Sequence, residues 1–74
     1  MWSEELQNLT REQAYGGAMM KKLDGDSGML SGRGPNGITI VAVEFKNYMP
    51  VPVDKIIARY KNVEEMIADG WAID

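Results

Sequence analysis

The chain has no cysteine and no histidine. The first absence removes disulfides as a source of stability. Together they remove Cys/His zinc sites and the common nucleophile–base pairs of hydrolases and transferases. Acid–base chemistry would fall to carboxylates, lysine or tyrosine. Glu64-Glu65 is the one adjacent acid pair in the C-terminal stretch, and its members point to different sides of a helix, where capping and solvation account for both. The expectation is a protein that is not an enzyme and carries no cofactor.

Long apolar runs are missing as well, none approaching the roughly 18–20 residues of a membrane span. The first ten residues, MWSEELQNLT, are acidic where a secretory signal is basic and contain no apolar h-region. These features predict a cytoplasmic protein without a membrane partner. Positive charge is scarce: eight Lys and Arg against eleven Asp and Glu give a net charge of −3, and Lys21-Lys22 is the only adjacent basic pair. A dispersed basic set of this kind argues against nucleic acid as a partner, since phosphate contacts supply most of that affinity.

What remains is a 74-residue chain that is 45% hydrophobic and 26% charged. That composition belongs to a folded protein, read here as one small domain over residues 1–74. A single core of this size rarely supplies more than about 3–5 kcal/mol of net stability, which favours self-association into a homo-oligomer.

Ser3 can cap a first turn, with Glu4 and Glu5 at its positive end and Trp2, Leu6 and Leu9 at helical spacing. Thr10 and Gln13 form a second start signal, a capping box. The reading is one helix over Ser3–Leu23, or two abutting at Thr10. Gly16-Gly17 with Ala14 and Ala18 then make a side-chain-poor patch for close approach by another backbone, unless the glycine pair breaks the helix.

Asp24–Gly37 turns to Gly, Asp, Ser, Pro and Asn and reads as a loop or a loose hairpin arm. It contains two motifs. Asp24-Gly25-Asp26 starts like a calcium loop, but Gly28, Met29 and Pro35 stand where an EF-hand needs an oxygen donor, a glycine and a bidentate glutamate, leaving a solvated turn. Gly32–Gly37 is a literal G-x-G-x-x-G, yet Ile38–Phe45 follows as a β-branched apolar run and not as a helix start. Gly34-Pro35-Asn36-Gly37 is therefore a hairpin turn.

Ile38–Phe45 is apolar on both alternating faces and reads as a central strand covered on both sides, by helices or by a second copy of the chain. Tyr48–Val53 carries Pro50 and Pro52 and is limited to an edge strand or an extended connection. Ile56, Tyr60, Val63 and Ile67 fall at i, i+4, i+7 and i+11, an amphipathic helix opened by Asp54 and stopped by Gly70. Asn62 and Glu65 form a competing capping box, which would leave Lys55–Tyr60 a strand.

The fold expected is α+β: an N-terminal helix, a short antiparallel sheet centred on Ile38–Phe45, and a C-terminal amphipathic helix. Two functions are weighed on it. One is a non-catalytic module that binds another protein stoichiometrically, in the style of small phage or mobile-element accessory proteins that inhibit host machinery. Its interface would draw on Gly16, Gly17, Met19, Met20, Val41, Val43, Phe45 and Trp71. The other is a small-ligand binder whose loop Asp24–Gly37 closes over an anion or nucleotide at a subunit interface, held by Arg33, Gly34, Lys46 and Arg59.

Overall fold

The computed structural model describes residues 1–74, with helix α1 (Glu4–Gln13), strands β1 (Met19–Lys22), β2 (Ser27–Gly34), β3 (Gly37–Lys46) and β4 (Met49–Tyr60), helix α2 (Val63–Ala68) and strand β5 (Trp71–Ile73). The strands form one antiparallel sheet in the order β4-β3-β2-β1-β5. The architecture is thus mixed α+β, with no helix long and apolar enough to cross a membrane.

Ser3 caps α1 through its hydroxyl, which accepts from the Leu6 N–H at 3.2 Å. The helix does not continue to Leu23. It ends at Gln13, and Gly17 turns the chain at φ 93°, a left-handed value that glycine adopts without strain. Thr10 lies inside α1 rather than at a start, so the glycine pair is the connection into β1 and not a helical patch. The Gly17 N–H then donates to Leu30 O, and the Leu30 N–H to Ala18 O, both at 2.8 Å.

The glycine-rich segment that reads as a loop is mostly strand β2. Gly28 shows why small residues sit there: a Cβ on it would lie 2.6 Å from Ile40 Cγ2 and 2.9 Å from Ile57 Cδ1. The turn after β2 is the expected hairpin, Gly34 pairing with Gly37 across Pro35-Asn36, with Gly37 taking φ 111°. The C-terminal helix is shorter than its spacing predicts. Asp54–Tyr60 belongs to the twelve-residue strand β4, and α2 begins only after Asn62, whose side chain accepts from the Glu65 N–H at 2.9 Å. Gly70 stops it at φ 99°.

Directly paired residues of an antiparallel ladder share a face. One face carries Met20, Leu30, Ile38 and Ile40, which join Ala14 just after α1, Met66 of α2 and Trp71 in the buried core. The other carries the row Met19, Met29, Val41 and Ile56. Coverage on both faces of β3, expected from its apolar alternation, is found only in part: on the second face Val41 is buried, at 9%, but Val43 is half-buried and Phe45 is 69% exposed. Beyond Val41 the ladder of β3 and β4 leaves the core and projects as an arm.

The β5 edge is closed by α1. The buried Thr10 hydroxyl donates to Leu6 O at 2.7 Å and accepts the Ile73 N–H at 3.0 Å, so the outermost strand is tied to the helix through one oxygen. Replacing Thr10 by valine keeps the shape but strands that N–H, which should cost about 2 kcal/mol and lower Tm by roughly 10 °C. Thr10→Ser should retain most of the stability. Thermal unfolding followed by circular dichroism checks both.

Candidate functional site: the exposed arm

Arg33, the proposed hand for an anion, faces the helices. Its Nη1 donates to Arg11 O and Ala14 O, both at 3.0 Å, and its guanidinium stacks 4.5 Å from the Tyr15 ring centroid. It thereby closes the carboxyl end of α1, where free carbonyls and the helix dipole favour a cation. Gly34 lies at the end of β2. Arg59 pairs with Thr39 on the face opposite Arg33, and Lys46 is at the far end of β3, seven residues from Thr39 and so roughly 23 Å along the strand. The structure does not bring Lys46 and Arg59 together with Arg33. In the aspartate-rich turn, Asp24 Oδ1 accepts the Asp26 N–H at 2.9 Å, and Asp24 Oδ2 is 3.8 Å from Lys22 Nζ.

The residues expected at a protein interface divide by depth. Met20 and Trp71 are core side chains, at 0% and 2% exposure. Gly16 and Gly17 are exposed in the turn before β1. Met19, Val41, Val43 and Phe45 share the open sheet face, increasingly exposed from Val41 towards Phe45.

One polar chain runs over the core beside α2. Trp71 Nε1–H donates to the Tyr60 hydroxyl at 2.8 Å, and that hydroxyl donates to Asp69 Oδ2 at 2.5 Å, with Lys22 Nζ 3.6 Å from the same carboxylate. Burial, then the hydrogen bond to Asp69, pushes the Tyr60 hydroxyl up to about 12, while the bond from Tyr60 and the charge of Lys22 hold Asp69 below its usual range. These hydrogen bonds tie β4 to β5 and to Asp69, the residue that ends α2.

The arm is different in kind. Its tip, Asn47-Tyr48, has φ 52° and 65°, both left-handed, as a two-residue hairpin of the right twist requires. Asparagine tolerates this conformation; tyrosine, in a place that glycine usually fills, does not. Tyr48 is also fully exposed, with Phe45 at 69% and Met49 at 66% beside it. Phe45, Asn47 and Tyr48 line an open notch. Phe45 and Tyr48 together, backbone included, present roughly 350 Å² to solvent, within the range of patches that mark interaction sites.

This chain matches no protein-family model, no curated protein and no solved structure. The arm's residues are therefore judged on their geometry. Sequence reading found Phe45 but did not single out Tyr48 and Met49 as site residues: Pro50 and Pro52 limited Tyr48–Val53 to an edge strand or an extended connection, and the edge strand is what forms, as part of β4. The available signal was an Asn-initiated two-residue turn between two apolar runs.

Relieving the strained turn should make the protein more stable: Tyr48→Gly is expected to gain about 0.5–1 kcal/mol and to raise Tm by roughly 3–6 °C, read by calorimetry. The Tyr60–Asp69 pair sets the pH window. Since Tyr60 titrates higher when folded, its contribution is present below pH 10.0 and is lost as pH rises towards about 12. Asp69 titrates lower when folded, so its share is present above pH 3.8 and disappears in stronger acid. Tyr60→Phe should weaken both dependences in a Tm–pH series.

Proposed function

We propose that the protein is a non-catalytic interaction module that engages another protein stoichiometrically through the tip of its β3–β4 arm, occluding or bridging that partner. The observation that carries this is Tyr48: a bulky aromatic side chain held in a left-handed turn and wholly exposed, where glycine would be more stable. Strain kept at an exposed aromatic tip contributes nothing to the fold, which points to its use outside it. Burying the roughly 350 Å² that Phe45 and Tyr48 expose is worth at most about 9 kcal/mol gross, since part of that area is backbone and hydroxyl, the same order as the cost of association. The tip therefore acts as an anchor, completed by flanking contacts from Met49 and Phe45. The modest acidity and the absence of a basic surface fit a protein partner in the cytoplasm, and an accessory protein that inhibits a host factor would work in this way.

Photo-crosslinking from position 48 in the cell that makes the protein tests the reading. The expected result is one discrete adduct of this chain with a different protein, absent when the probe stands at Glu12 on α1. No adduct, the same adducts from both positions, or only an adduct of two copies of this chain would overturn it.

A further inference from the structure

Gly28 is a glycine for want of space and not of conformation. Its φ lies outside the left-handed region that Gly17, Gly25, Gly37 and Gly70 occupy, and in ordinary strand backbone a glycine weakens the sheet. It pairs with the buried Met20, so a Cβ on it would point to the core side. There it would stand 2.6 Å from Ile40 Cγ2, 2.9 Å from Ile57 Cδ1 and 3.0 Å from Val41 O. Ile40 and Val41 belong to β3, the neighbouring strand. Ile57 belongs to β4, two strands away.

In a flat sheet, strands two apart are separated by roughly 9.5 Å, more than an isoleucine side chain spans. The contact therefore requires the sheet to bend towards its core side between β2 and β4. The bend has a visible cause. Ile56 pairs with Val41 and Ala58 with Ile40, so Ile57 is an extra residue without a partner in the ladder, and a bulge of this kind bends and twists the strand that holds it. It stands at the root of the arm, just before the second register shift. None of the side-chain hydrogen bonds and ion pairs of the molecule involves Val43–Lys55.

We propose that Ile57 is the positioning residue of the arm: seated in the notch that Gly28 leaves, it fixes the angle at which the tip stands to the folded body. Without that side chain the bulge is a hinge. With it the arm is held at one angle, and a tip that binds is already aimed, which removes an ordering cost that a swinging arm would meet on association. This consequence for binding rests on the reading of the tip as the binding site; the angle itself does not.

The chain lacks native cysteine, so spin labels at Lys46→Cys beside the tip and Glu12→Cys on α1 report the angle as a distance distribution. The labelled protein should give one narrow distribution. Ile57→Ala should broaden it with an unchanged circular dichroism spectrum, and Ile57→Met, long enough to reach the notch, should narrow it again. Ile56→Ala, at the adjacent isoleucine turned to the open face, should leave it as it was. Gly28→Ala should displace the centre of the distribution, because Val41 O is a backbone atom and cannot turn aside; if that variant does not fold, Ile57→Ala decides alone. A distribution already broad with Ile57 in place, one that Ile57→Ala leaves unchanged, equal broadening from Ile56→Ala, or a folded Gly28→Ala chain with native distances would overturn the proposal. Photo-crosslinking from position 48 reads the binding side: Ile57→Ala should lower the adduct yield severalfold, and an undiminished yield would overturn the gain in binding. No adduct from the native chain would sink the tip reading alone, with the distances still deciding the angle.

Discussion

The fold depends on one hydroxyl. Thr10 accepts from the Ile73 backbone while donating to its own helix, and this joins α1, the first element of the chain, to β5, the strand at one edge of the sheet. Without an acceptor there, β5 would present an unpaired donor row beside a buried tryptophan. With it, α1 becomes the wall of the sheet edge. Trp2 strengthens the same junction, its indole N–H donating to Gly70 O at 2.7 Å and its ring lying 5.0 Å from Lys21 Nζ. Arg11 and Glu64 then hold the two helices together across the surface.

From this closed corner the molecule becomes less buried strand by strand. Met20, Leu30 and Ile40 are fully enclosed, Ala58 and Tyr60 partly so, and the distal halves of β3 and β4 have no core beneath them. Register shifts mark the transition. The ladder slips between Ile40 and Val41 and again before Val43, so β4 spends extra residues around Ile57 and Asp54 where the arm departs. Bulges of this kind bend and twist a strand, and they re-aim everything beyond them. The same slip sends Ile56 to the open face while Ala58 and Tyr60 stay over the core.

Much of this was legible. Ser3, the Gly34–Gly37 turn, the Asn62–Glu65 start of α2 and the Gly70 stop are local signals, each set by hydrogen bonds or φ within a few residues, and local chemistry is what a sequence displays. The misread segments depended on partners far along the chain. Ile56 and Tyr60 are four residues apart, a spacing that lies on one face of a helix and, without a bulge, of a strand too, so it could not decide between them. Met19–Lys22 follows helical residues and becomes strand because β2 and β5 pair with it on both sides. Arg33 looked free in a glycine-rich loop, and only the folded chain brings the end of α1 to its guanidinium. Nothing local distinguishes an arginine that meets a ligand from one that meets a carbonyl.

The two-strand arm also separates reach from foundation. A hairpin standing clear of the core can lose or gain two residues in each strand and keep every remaining side chain on its own face, whereas a change of one per strand would exchange the faces. Nothing at Thr10, Trp71 or the helices is touched by such a change. The distance at which the tip is presented is thus a quantity that insertion and deletion can tune stepwise, in increments of about 7 Å, while the folded base remains as it is.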